Sequence, residues 1–233
     1  MPIRTNDAGK GLEWFTGGWK LFVKSPGMWM VMTVVFALIA IVLSLIPFIG
    51  ALALSLIGPA LGAGMLSAAK TLDDGGEIDV SYLFQGLRDA ERRGSLLVLG
   101  VMLLGVEILV GLVIGAGMMS GPMMGGMGDG LPSPMQFASG GLFGLLISLV
   151  IMVLVAMAFC YAIPLVMFKG DAPIAAIQAS FNAGVKNILP LSVAGIIYIV
   201  LAIIAAIPFG LGFLALIPVT VCAVYLSYKS VFE

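Results

Sequence analysis

Long apolar runs alternate along this chain with short polar ones, and every polar interval carries lysine or arginine. Arg4, Lys10, Lys20 and Lys24 come before a stretch, 25 to 69, that holds no basic residue. Lys70, Arg88, Arg92 and Arg93 precede a second such gap, 94 to 168, and Lys169 and Lys186 precede a third, 187 to 228, which Lys229 closes. A membrane-crossing helix takes about 20 mainly apolar residues. The first and third gaps therefore hold two passes each, and the middle one holds two passes and a loop. The pattern predicts helices near 28–46, 49–69, 95–117, 141–168, 188–208 and 210–228. This is an all-α integral membrane protein with six transmembrane helices in three hairpins (28–69, 95–168 and 188–228), forming one membrane domain over residues 1–233.

Each hairpin follows a segment whose apolar residues recur at helical spacing. Leu12, Phe15, Trp19 and Phe22 lie in 1–27, Val80, Leu83, Phe84 and Leu87 in 70–94, and Ile174, Ile177, Phe181 and Val185 in 169–187. These segments are expected to be amphipathic helices lying in the membrane interface. Trp14, Trp19 and Trp29, with lysines close by, are the expected anchors at the headgroups. Asp171 before Pro173 marks a helix start.

The first and last hairpins resemble each other. "SLIPFIG" at 44–50 answers to "AAIPFGLG" at 205–212, and Pro59 precedes Lys70 by the same interval as Pro218 precedes Lys229. Both hairpins start and end on the basic side, so the expectation is a parallel internal repeat.

Composition agrees with a bilayer setting: 61% of residues are hydrophobic and 10% charged, against about 25% charged in an ordinary soluble domain. With a net charge of -1, no general electrostatic case for nucleic acid exists. All eleven basic residues fall on one side of the predicted bundle. Because Lys and Arg in short loops stay cytoplasmic, both termini and the loops around 70–93 and 169–187 are expected inside. No cleavable signal peptide is visible in residues 1–27, and the short loops suit a bacterial inner membrane.

Candidate chemistry is sparse. The chain has no histidine, which removes the usual general base and the usual zinc or haem ligand, so no enzyme and no required cofactor are expected. Cys160 and Cys222 fall toward the basic ends of predicted helices four and six, as small apolar residues or, less in keeping with buried cysteine, as soft-metal ligands. Glu107 is the acidic residue deep in a predicted span. Ionised there it would cost on the order of 3 kcal/mol. Gly100, Gly111 and Gly115 share its face, so it is expected to face protein or a wet cavity, with Ser148, Tyr198 and Thr220 as candidate partners. The loop expected at 117–140 is rich in methionine and glycine. Met118, Met119, Met123, Met124 and Met127, with Met135, present soft thioethers of the kind that bind copper as Cu(I), or form an apolar cap.

The segment "YAIPLVMFKGDAPIAAIQASFNAGVKNILPL" at 161–191, the turn "AAIPFGLGFLALIPV", the closing "VYLSYKSVF" and the early "GWKLFVKSPGMW" at 18–29 together resemble the BPSS1780 family of bacterial membrane proteins. Its signals here are Pro164, the run Ala176, Ala179 and Ser180, and the following Asn187. The resemblance covers most of the chain outside the Met/Gly segment. It implies a six-helix inner-membrane protein of proteobacterial type and brings no established activity or site residues. Two functional expectations follow: an accessory or scaffold component that associates with itself or other membrane proteins in the lipid bilayer, or a transporter of small solutes or metal ions, copper among them.

Overall fold

The computed structural model describes the backbone of residues 3–124 and 134–233, and the side chains of residues 3–116, 142 and 145–233. It is all-α, with no strand among the described residues. Six helical stretches are long and apolar enough to cross a membrane: Pro26–Ser44, Ile49–Asp73, Arg93–Ala116, Leu145–Lys169, Ile188–Ala206 and Phe213–Phe232. In chain order the helices are α1 (Lys10–Phe22), α2 (Pro26–Ser44), α3 (Ile49–Asp73), a 3-10 turn (Val80–Phe84) running into α4 (Gln85–Arg88), α5 (Arg93–Met124), α6 (Pro134–Phe159), α7 (Ala162–Pro164) with a π-helical turn (Leu165–Lys169), α8 (Pro173–Lys186), α9 (Ile188–Ala206) and α10 (Phe213–Phe232). The chain forms two compact units, Met1–Val101 with Met157–Glu233, and Met102–Ala156.

In the first unit the core is built where α1, α2, α3 and α10 meet, around Trp29, Met32, Leu61, Met65, Leu83 and Cys222. Large residues on the remaining faces are exposed, for example Leu38, Ile41 and Val42 on α2 and Ile196, Ile199 and Ile203 on α9. A soluble helix buries such a stripe, whereas a membrane helix leaves it to lipid.

Helix α1 departs from the predicted stripe. Leu12 and Trp19 are exposed, while Gly11, Trp14, Phe15, Gly18, Leu21 and Phe22 are buried. The cause is backbone proximity. A Cβ on Gly11 would stand 2.5 Å from the Pro190 carbonyl oxygen, and one on Gly18 would stand 2.7 Å from that of Val219. Two glycines seven residues apart thus seat α1 on α9 and α10, as small residues do wherever helices approach closely. The expected interfacial helix is a packed part of the bundle. At 70–94 the apolar spacing yields only the 3-10 turn and the four-residue α4, whereas 169–187 does contain a full helix, α8.

Polar groups tie several helix ends together. Lys229 at the end of α10 pairs with Asp73 at the end of α3 (2.6 Å), and Tyr225 donates to the same carboxylate. Lys24, just before α2, donates to the Leu72 carbonyl at 2.7 Å. Helix α3 stops because Gly75 takes a left-handed backbone (φ 85°) while the N–H groups of Gly75 and Gly76 return to the carbonyls of Leu72 and Thr71. That pairing satisfies carbonyls which a helix end otherwise leaves open.

The second hairpin corrects one boundary. The loop expected over 117–140 is shorter, because α5 continues to Met124 and α6 begins at Pro134. Methionine is a good helix former and prolongs the apolar run. Met118, Met119, Met123 and Met124 are therefore on helical backbone rather than in a loop, Met135 is in α6, and Met127 lies outside the described residues.

Candidate functional site

The acidic face of α5 is the first candidate. Glu107 is exposed to a solvent-sized probe. Gly111 and Gly115 follow it at successive four-residue steps, and a Cβ at either would meet no described residue within 4 Å. Gly100, by contrast, lies against the backbone of Leu56. The two later glycines have the spacing of a close helix contact, and no described residue fills it. Of the partners considered for Glu107, the Ser148 hydroxyl donates to the Leu145 carbonyl, the Thr220 hydroxyl donates to that of Leu216, and Tyr198 is exposed.

The second candidate is the interruption after α6. Pro164 was a visible reason for a break, since it offers no N–H to the Cys160 carbonyl. Ser180 supplies the other reason. The Tyr161 N–H donates to the Ser180 hydroxyl at 2.9 Å, and that hydroxyl donates to the Met157 carbonyl at 2.8 Å. Met157 and Tyr161 are the pair that a continuous helix would join directly. A side chain from α8 is thus inserted into the hydrogen-bond ladder of the preceding span, a recognised cause of a kink.

Around this break lies a buried polar chain. The Tyr161 hydroxyl pairs with that of Ser227, the Ser230 hydroxyl donates to the Ser227 carbonyl, and Trp14 Nε1 donates to Ser230 Oγ at 3.1 Å. Lys169 donates to the Phe232 carbonyl and stands 5.8 and 5.4 Å from the ring centres of Tyr228 and Phe232, within cation–π range. Asn187, fully buried, accepts from the Asn6 N–H and donates to the carbonyls of Arg4 and Ala183. It clamps the segment before α1 onto the end of α8.

Ser180 and Asn187 stood out in the sequence only through the family resemblance. Their roles were hidden because each partners backbone atoms remote in the chain. Asp73 was not singled out at all, although a carboxylate at a span end is a usual partner for lysine.

The expected anchors divide. Trp19 is 52% exposed and suits a headgroup position, whereas Trp14 and Trp29 are 4% and 0% exposed and belong to the core. Trp14 is buried because Gly11 and Gly18 bring its face of α1 onto the neighbouring helices. Cys160 and Cys222 are both free thiols, Cys222 within the core. Among the described residues no group of three or more His, Cys, Asp or Glu side chains is placed to hold a metal. Two clefts of about 470 and 440 Å³ are lined by mixed polar groups, one by Ser81, Tyr82, Gln85, Arg88 and Asp89, the other by Lys24, Ser25 and Glu77 with neighbouring backbone.

The two Ile-Pro-Phe turns share a backbone feature. Among the described residues Phe48 (φ 62°) and Phe209 (φ 52°) are the non-glycine residues with positive φ. The first is centred in a three-residue turn closed by the Ile49 N–H on the Pro47 carbonyl, and the second in a turn closed by the Leu211 N–H on that of Pro208. A bulky residue in this region is uncommon.

These features define a six-span, all-α membrane protein with a close-packed first unit and an open face on α5. No family model, curated protein or solved structure matches the chain.

Proposed function

We propose that this protein is a non-enzymatic component of a membrane assembly, docking a further transmembrane helix on the face of α5 marked by Glu107, Gly111 and Gly115. The observation that carries this reading is that no described residue packs over Gly111 or Gly115. Glycines at this spacing cost helix stability, about 1 kcal/mol each relative to alanine, and in membranes they are offset where another helix packs on them. The partner is another membrane protein or a second copy of this chain. The one-sided distribution of basic residues supports cytoplasmic ends for the chain, and the family resemblance favours a bacterial inner membrane.

Site-directed photo-crosslinking tests this reading. A photoreactive residue at position 112, beside the glycines, should capture a discrete membrane partner in native membranes, and Gly111→Ile with Gly115→Ile should abolish the adduct. If the adduct persists in the double variant, or if only lipid is captured, the docking face is wrong.

A second reading, a transporter of small solutes or metal ions, is favoured by the break between Phe159 and Leu165, since transporters often bind cargo at interrupted helices. It is weaker because Ser180 occupies the break and bonds the Tyr161 N–H and the Met157 carbonyl there. Copper at the methionines belongs to this reading alone.

A further inference from the structure

We propose that the Ile-Pro-Phe turns are lipid-inserted tips, in which Phe48 and Phe209 lie at the boundary between acyl chains and headgroups, on the leaflet reached by the far ends of α2 and α9.

The two residues are 88% and 102% exposed, the largest values among the exposed apolar side chains of the described residues. Their neighbours Leu45, Ile49, Ile207 and Leu211 are also strongly exposed, so each turn is an apolar knob rather than a lone ring. No Lys, Arg, Asp or Glu occurs from 25 to 69 or from 187 to 228, leaving nothing to draw either turn into water.

Span length sets the depth. Helices α2 and α9 each have 19 residues, which at about 1.5 Å per residue comes close to the roughly 30 Å of a hydrocarbon core. A helix that begins at its basic end therefore finishes at the opposite boundary, not beyond it. Aromatic rings concentrate at that level.

Backbone conformation adds an independent argument. A left-handed turn position is the natural place for glycine or asparagine, and glycine stands nearby in both turns, at Gly50 and Gly210. The first turn instead puts phenylalanine there, and the second puts Phe209 there beside Gly210, which also has a positive φ. No described residue covers either ring, so the surrounding lipid is what the side chain serves. Gly50 against the backbone of Leu43, and Gly212 against that of Ala205, close each turn tightly on its own hairpin.

The test uses tryptophan as a conservative replacement, one tip at a time, in the full chain. Phe48→Trp and Phe209→Trp are reconstituted in vesicles of phosphatidylcholine brominated in the upper acyl chain, and emission is compared with the wild type, which has three tryptophans. The added emission should be lost in brominated vesicles and should survive aqueous iodide. Quenching by iodide without quenching by bromine would put the tips in water and overturn the proposal. Quenching by neither would mean that protein covers them, and would overturn it equally. Because each turn is read separately, misfolding of one variant leaves the other to decide.

Discussion

At the scale of single residues, Ser180 does the most with the fewest atoms. Its hydroxyl stands in for a backbone bond that α6 and the following turn do not make, accepting from one half and donating to the other. Ser180→Ala should lower stability by about 1–3 kcal/mol, the usual cost of stranding a buried hydrogen-bonding group, measured by thermal unfolding in mild detergent. Should the chain simply straighten and close the Met157–Tyr161 bond directly, stability would be unchanged and the serine would not be what holds the break. The tip phenylalanines follow similar arithmetic: a left-handed backbone costs about 1–2 kcal/mol, whereas removing a phenylalanine ring from water returns about 1.5–3 kcal/mol. Lipid contact is enough to sustain the conformation, and water contact is not.

At the scale of elements, the six spans were legible because apolar runs of the right length are punctuated by basic residues, a signal of composition that tertiary detail does not erase. The mode of packing was less legible. In α1 the stripe Leu12, Phe15, Trp19 and Phe22 suggested an interfacial helix, but contact with the bundle is made where the side chains are smallest, at Gly11 and Gly18, and Trp14, Phe15 and Phe22 are carried inward. The same limit applied at 70–94. There Asp79 caps the 3-10 turn by accepting from the Ser81 N–H at 2.6 Å, and Ser81 holds its carboxyl below the usual range, first through its hydroxyl and then through its N–H. A depressed pKa means the contribution is present above the unfolded carboxylate value of about 3.9 and is lost as pH falls through the folded value. Protection of the Val80–Arg88 amides, corrected for intrinsic exchange, should therefore fall on acidification through that range. Asp79→Asn should flatten the response, and equal acid sensitivity in the variant would rule out Asp79 as its source. The segment before α1 offers a parallel case. Asn187→Leu keeps similar bulk but removes the bonds to Asn6 and Arg4, and it should expose the Arg4 peptide to trypsin while leaving the spans uncut.

At the scale of the molecule, the candidate site was legible in part. Glu107 and the GxxxG step were visible as a unit, and the structure keeps them on an open stretch of α5. Their orientation was not readable, because small residues mark a close contact without saying whether the partner helix belongs to the same chain. In the first unit the contacts are closed within the chain: Lys229 finds Asp73, Lys169 finds the end of α10, and Arg92 lies against Gly170.

The seat of α1 also has a consequence for biogenesis. The ribosome delivers α1 long before α9 and α10, the helices whose backbones Gly11 and Gly18 touch. Until those two have left the translocon, Trp14, Phe15, Leu21 and Phe22 have no native neighbours there, and non-local contacts of this kind form late. Closing the chain on itself is then the final act of insertion, and a nascent protein stalled before α9 would present this aromatic surface to chaperones and membrane proteases.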